Sequence, residues 1–329
     1  MPTNLPPQYF EAEKAYRQAK SPAEKVEALE TMLAVMPNHK GTDHLKADLR
    51  ARIAKLTQEA QRQGGGAQRV QLYEVRKEGA GQAALVGLPN VGKSALVAAL
   101  TDATPKVADY PFTTQLPQPA MMPVENVYLQ LVDLPPIVPE ATAPWHRALI
   151  RRADLLLLVV DVSADPLDEW ATLLADLGRM HIEPISPGSE VPEDAEATHR
   201  PALLVATKAD RPDASDLLEL LELEVDGRLP VLAVSATDGS GLDELRRRSL
   251  AALDVIRVYT KLPGRPPDRA KPFVLKRGST VEDLADLVHH ELREKLKYAL
   301  LWGASGKFGG QRISRHHQLE DEDVVELFA

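Results

Sequence analysis

Gly87-Leu-Pro-Asn-Val-Gly-Lys-Ser94 follows the apolar run Ala83 to Val86 and opens the amphipathic run Ala95 to Leu100. The pattern is G-x-x-x-x-G-K-[ST], in which glycines let backbone N–H groups turn inward around a polyphosphate. Lys93 then reaches the outer phosphates, Ser94 offers its hydroxyl to Mg²⁺, and Gly87, Asn90, Val91, Gly92 and Ala95 complete the cradle. The helix that follows adds its positive dipole end. Alone, the pattern also suits an ordinary glycine-rich strand-to-helix turn, so the segments beyond it decide.

Pro201-Ala-Leu-Leu-Val-Ala206 reads as a buried strand that delivers Thr207-Lys-Ala-Asp210 at its C-terminal end, the edge where open α/β sheets bind ligands. An Asp carboxylate accepts from guanine N1–H and N2–H₂ together, whereas adenine offers no such donor pair and would leave the carboxylate unpaired. The stem of Lys208 is expected along the ring. A third strand, Leu229 to Val234, ends in Ser235-Ala-Thr237, where the Ala236 N–H would meet guanine O6. Between these motifs lie Asp109-Tyr-Pro-Phe-Thr-Thr114, a proline-bounded loop with hydroxyls at Thr113 and Thr114, and Val127 to Asp133, a strand whose terminal acid suits the Mg²⁺ environment. Taken singly, the threonines also fit a turn and Asp133 a strand-end cap.

With 329 residues the chain has room for two or three domains. It has no cysteine, which excludes disulfides and Cys-ligated zinc and agrees with a reducing compartment. The N-terminus lacks a charged-then-apolar leader pattern, and the longest apolar run, Leu155 to Val160, is far shorter than a membrane span. A cytoplasmic protein with no membrane partner is expected. The net charge of −9 is unevenly spread: Lys and Arg against Asp and Glu number 13 and 10 in residues 1–79, 13 and 27 in 80–254, and 13 and 11 in 255–329. Two mildly basic flanks around an acidic middle fit either a solvated surface or an RNA contact.

Organisation follows from periodicity. Ser21-Pro-Ala-Glu24 is a helix start, with Val26, Leu29, Leu33 and Met36 at helical spacing before Pro37. Leu45, Leu49, Ile53 and Leu56 form a second stripe, decorated by Lys46, Arg50, Arg52 and Lys55. Residues 1–66 are therefore expected as a helical hairpin ending in the Gly64-Gly-Gly66 joint. Residues 67–254 read as a P-loop nucleotide-binding domain with a mostly parallel doubly wound sheet, interrupted by a proline-rich, acidic surface loop over 184–200. Residues 255–329 read as strands around one helix, at Val255 to Lys261, Phe273 to Lys276, after Thr280, at Tyr298 to Trp302 and Val324 to Phe328, which is a β-grasp pattern. The pairs His289-His290 and His316-His317 lack ligand spacing and read as surface or partly buried histidines.

With these motifs assembled, the chain resembles the Obg-related translation-factor GTPases, and most the developmentally regulated GTP-binding (DRG) branch. The marks are Gly87 to Ser94, Tyr110-Pro-Phe-Thr-Thr114, Asp133-Leu-Pro135, and a tail similar to the TGS domain in Val258-Tyr-Thr-Lys261, Lys297 to Gly303 and Leu319 to Val324. The resemblance implies GTP and GDP binding, slow hydrolysis, ribosome or structured-RNA association, and a TGS module that contacts RNA or a protein partner. It implies that Thr114 senses the γ-phosphate through Mg²⁺, that Asp133 holds a metal-bound water, and that Asn90 ligates K⁺, a charge placed much as an arginine finger. Ile137 stands where many small GTPases carry a water-orienting Gln, and the related family lacks that residue too. One departure is sharp: Pro136 replaces the glycine of Asp-x-Pro-Gly, whose N–H bonds the γ-phosphate, and proline has no N–H. The DRG insertion within the nucleotide domain is also missing. Two readings follow, a Mg²⁺-dependent, K⁺-assisted GTPase or a hydrolysis-impaired guanine-nucleotide-binding adaptor that docks through its flanking domains.

Overall fold

The computed structural model describes residues 75–101, 117–137, 144–191 and 196–329, with isolated helical positions between Tyr16 and Arg52. Two compact units are present, Met1–Leu72 and Tyr73–Ala329. In the first, Ala28, Leu29, Met32 and Leu49 are helical and buried, so one residue of each expected stripe is a core residue. The rest of the helical hairpin, the glycine joint and the Asp109–Thr114 segment lie outside the described residues.

The second unit begins with β1 (Gln82–Gly87), α1 (Lys93–Leu100), β2 (Gln118–Val124), β3 (Val127–Asp133), α2 (Pro144–Arg152) and β4 (Leu155–Asp161). It continues with α3 (Pro166–Arg179), β5 (Ile182–Ile185), β6 (Thr198–Thr207), α4 (Ala214–Val225), β7 (Val231–Ala233) and α5 (Leu242–Ala252). The sheet order is β2-β3-β1-β4-β6-β5, with β7 also on β6. All pairs are parallel except β2 with β3. The unbroken apolar runs of β1 and β4 arise because both sheet faces are covered. Ala84, Val86, Leu156, Leu158 and Val160 enter one core, and Ala83, Leu85, Leu155, Leu157 and Val159 the other. Asp165 opens α3 by accepting from Asp168 N at 3.1 Å, with Pro166 in the first turn.

The expected loop over 184–200 is corrected at both ends. Pro184 and Ile185 belong to β5, and β6 starts at Thr198, because Ile182 to Ile185 pairs with Thr198 to Pro201. β6 is thus long enough to hold β5 along its first half and β7 along its second.

The tail folds as β8 (Val255–Thr260), β9 (Phe273–Lys276), α6 (Val281–Val288), α7 (His290–Lys295), β10 (Tyr298–Trp302), β11 (Gln311–Ile313) and β12 (Val324–Phe328), in sheet order β11-β10-β12-β8-β9. β8 and β12 are parallel neighbours. Val281, Leu284 and Ala285 of α6 pack with Ile256, Val258, Ala299, Leu301 and Val325. A capping box at Thr280 and Asp283 starts α6. The tail holds a second short helix and the strand β11 beyond the pattern expected; His289 caps that helix by accepting from Glu291 N, and His290 pairs with Asp286 at 2.9 Å. The two sheets meet where Asn126 Nδ2 donates to Tyr259 Oη at 2.7 Å and Arg257 pairs with Glu125, Arg257 being held from its own side by Asp321.

Candidate functional site

The loop after β1 is shaped by backbone requirements that only certain residues meet. A Cβ on Gly87 would lie 2.6 Å from the Val159 carbonyl oxygen, so glycine is needed where β1 runs against β4. Asn90 and Gly92 both adopt left-handed backbone, with φ of 66° and 91°; Asn and Gly are the residues that tolerate it best. Gly92 is the cap residue of α1, which places Lys93 and Ser94 in its first turn.

Lys93 is buried, and its Nζ donates to the carbonyls of Gly87 at 3.0 Å and Leu88 at 2.8 Å. Burial, opposed by the fields of Asp133 and Glu169, brings its ammonium down to about 8. Ser94 Oγ donates to Asp133 Oδ2 at 2.6 Å, joining the start of α1 to the end of β3. Burial pushes the Asp133 carboxyl above its ordinary range, against the Ser94 hydrogen bond and the Lys93 charge. A hydroxyl and a carboxylate at hydrogen-bond distance, beside open volume, are hard oxygen donors that fit Mg²⁺, an ion that takes few protein ligands and keeps several waters. That open volume is a cavity of about 360 Å³ lined by Asn90, Lys93, Ser94, Gln118, Asp133 and Pro136, among others.

The expected base site is assembled on two neighbouring strands. Ala209 N donates to the Val234 carbonyl at 3.1 Å, which ties the turn after β6 to the turn after β7. Asp210 is exposed there, and its carboxylate makes no hydrogen bond among the described residues. Ser235 is buried and its Oγ accepts from Thr237 N at 3.1 Å and Asp238 N at 3.3 Å, bending the chain so that Ala236 is exposed. Thr207 has a different part: its hydroxyl lies 2.6 Å from the Val91 carbonyl and 3.0 Å from that of Val160, so it tethers the phosphate loop to the base strand.

Lys208 adopts φ of 60° and its Nζ pairs with Asp161. Asp161 is a residue the motif reading missed. Burial opposes its ionisation, yet hydrogen bonds from Lys208 and Ser163 outweigh that and hold the carboxyl below the usual range. Its only signal in sequence is an acid closing the apolar run Leu155 to Val160. Glu169, also missed, accepts from Asp161 N at 2.7 Å and has its carboxyl raised by burial.

Beside the cavity, Pro136 has no N–H to offer, and the next backbone donor is engaged: Ile137 N reaches the Gly87 carbonyl at 3.4 Å. The Ile137 side chain is buried in the core with Leu134, Leu149 and Ile150, so it does not face the cavity. His146 of α2 is also buried, with Nε2 lacking a partner among the described residues. Burial and the Lys93 charge bring its imidazole down to about 4, so it is neutral at pH 7. Thr113 and Thr114 lie outside the described residues.

Comparison with known proteins agrees with this geometry. Residues 82–208 match the family described as 50S ribosome-binding GTPase, and residues 256–329 match the TGS domain. An uncharacterized GTP-binding protein of Methanocaldococcus jannaschii is 30% identical over 92% of this chain and 92% of its own length. Developmentally-regulated GTP-binding protein 1 of Xenopus laevis is 28% identical over 92% of this chain and 98% of its own. Among solved structures, the YchF GTPase of Schizosaccharomyces pombe has a TM-score of 0.56 at 14% identity, covering 78% of this chain and 100% of that one, a likeness of fold.

Proposed function

The chain belongs to the Obg-related P-loop GTPases, in the developmentally regulated GTP-binding branch with a C-terminal TGS domain, and from that premise we propose that it hydrolyses GTP to GDP and phosphate slowly, in the cytoplasm. The observation that carries this reading is the convergence of Lys93, Ser94 and Asp133 on one cavity behind the Gly87–Gly92 turn. Lys93 exchanges the Gly87 and Leu88 carbonyls for β- and γ-phosphate oxygens, and the backbone from Asn90 to Ala95 wraps the phosphates. Ser94 and Asp133 would hold Mg²⁺, together with Thr114 as the resemblance implies. Bound there, the ion would supply charge neutralisation for the β- and γ-phosphate oxygens.

Asp210 reads guanine N1–H and N2–H₂, Ala236 N–H meets O6, and the Lys208 stem, anchored at its tip by Asp161, covers the ring. Asn90, at the cavity rim in left-handed backbone, supplies a neutral oxygen suited to K⁺. Since Ile137 is in the core, no side chain at that position orients the attacking water, and the rate depends on the cation and on positioning. With the chain read as 1–66, 67–254 and 255–329, this chemistry belongs to the middle part. The basic flanks, and the ribosome binding named for the family matched at 82–208, support association with the ribosome or structured RNA, or a protein partner on the TGS module.

The test is GTP turnover by the full chain in Mg²⁺, with K⁺ and Na⁺ compared at equal ionic strength. Turnover that rises in K⁺ is the expected result, and failure to bind guanine nucleotide overturns the reading. Pro136 favours a second reading, a hydrolysis-impaired adaptor; nucleotide bound without turnover in either salt selects it.

A further inference from the structure

Among the described residues, the helices of the C-terminal domain cover one face of its sheet. Ala299 and Leu301 of β10 point to α6, so alternation puts Tyr298, Leu300 and Trp302 on the opposite face. Cross-strand register adds Phe328 beside Tyr298, Glu326 beside Leu300, and Arg312 of β11 on the other side of Leu300. The Tyr298 and Phe328 rings are stacked, with centroids 4.8 Å apart and planes 8° apart. Arg312 Cζ lies 3.9 Å from the Tyr298 centroid. Guanidinium, phenol and phenyl therefore form one ladder, with Arg312 exposed at its end.

One register step along, Lys261 Nζ stands 4.1 Å above the Trp302 ring. The same ammonium pairs with Glu326 at 2.9 Å, so the carboxylate on this part of the face is already neutralised. Gly309 and Gly310 lie against the Trp302 ring, and the loop they belong to carries Lys307 and presents Phe308 at 66% exposure. Toward β8 the face is closed by the nucleotide domain, where Asn126 meets Tyr259.

Planar rings with cations over them, and a carboxylate at Glu326 that is already paired, suit a polyanion that carries planar rings of its own. We propose that this face binds single-stranded RNA, with bases continuing the Arg312–Tyr298–Phe328 ladder and stacking at Phe308, and phosphates meeting Lys307 and Arg312. This deepens the RNA association proposed above, and rests on it only for the identity of the nucleic acid. An acidic peptide matches the cations but not the ladder. Duplex RNA offers phosphates but hides its base faces in the stack, so it satisfies half of the surface.

The experiment is fluorescence anisotropy with the full chain in Mg²⁺ and GDP, using a labelled mixed-sequence single strand of about a dozen nucleotides and the matching duplex, a length within the usual span of such sites. The single strand is expected to bind, and the duplex less tightly. Arg312→Ala combined with Phe308→Ala, both exposed, should weaken single-strand binding at least roughly tenfold, the lower range of stacking losses. Lys307→Ala should lower the slope of log affinity against log salt by about 0.7, one single-strand phosphate contact. GDP binding in the same samples should be unchanged. Equal binding of duplex and single strand overturns the stacking surface, as does undiminished binding by the double variant, which moves RNA association to another part of the chain. Absence of RNA binding with GDP binding intact overturns both the surface and the RNA association, and leaves the face to a protein partner.

Discussion

Replacing Pro136 with Ala restores a backbone N–H at the wall of the phosphate cavity without changing anything else that lines it. The neighbouring donor does not already supply this contact, because Ile137 N is turned to the Gly87 carbonyl. A hydrogen bond to a charged group contributes about 1.5–3 kcal/mol, which corresponds to roughly 10- to 150-fold in affinity. Only GTP carries the γ-phosphate, so the gain appears in the ratio of GTP to GDP affinity. Losing the proline ring frees the unfolded chain and lowers stability by about 0.4–1 kcal/mol. That loss acts on both nucleotide complexes equally and cancels in the ratio. Pro136→Gly provides the same donor with a larger entropic loss, so the two variants should shift the ratio alike and differ in melting temperature. Competition of GDP and a non-hydrolysable GTP analogue against fluorescent GDP measures the ratio. A ratio within about twofold of the parent in both variants, with GDP binding intact, would refute the assignment of this backbone position to the γ-phosphate.

Four further outcomes are expected. Asn90→Gly keeps the left-handed backbone at φ of 66° and removes the side-chain oxygen; it should abolish K⁺ stimulation of turnover while leaving the Na⁺ rate unchanged, and stimulation that persists counts against Asn90. Lys93 titrates near 8 without nucleotide, and phosphate contact raises it. GTP affinity should therefore fall as pH rises above about 8, by up to tenfold per unit, with proton uptake on binding visible by calorimetry in buffers of different ionisation heat. Asp210→Asn replaces one acceptor by a donor, so it should lose guanine and gain xanthine, whose C2 carbonyl accepts where guanine donates; competition by GTP and XTP reads the exchange. Arg257→Ala removes the guanidinium bonds to Asp321, Glu125 and Asn126, while the backbone N–H bond to Asp321 stays, and with half-exposed partners should cost about 1–3 kcal/mol. Scanning calorimetry should then resolve the TGS sheet as a separate, earlier transition, and a single unshifted transition would show that the contact is not stabilising.

What the sequence made legible was what local pattern determines. The run Leu155 to Asp161 announces a fully buried strand, and β9, β10 and β12 match their expected limits because short apolar runs there are bounded by Pro, Gly or charged residues. β2 was illegible because Pro119 and Pro123 interrupt it. It survives as the sheet's edge strand, where a ladder on one side leaves proline's missing donor tolerable. Pro184 hides β5 for the same reason. Lys93, Ser94 and Asp210 could be singled out as candidates because motifs of fixed spacing carry them. Asp161 and His146 were missed because their partners are set by the fold: Lys208 is 47 positions from Asp161, and His146 feels the charge of Lys93 on a different helix.

The same distinction applies to β3. Read alone it is a strand ending in a metal-site acid. In the fold, Asn126 at its start is bonded to Tyr259 of the TGS sheet, while Asp133 at its end is bonded to Ser94 of the phosphate loop. Seven residues of extended chain span about 20 Å. A change in how Asp133 and Ser94 are held thus acts on one end of a stiff strand whose other end is fixed to the second sheet. The TGS sheet is thereby in direct contact with the strand that carries Asp133.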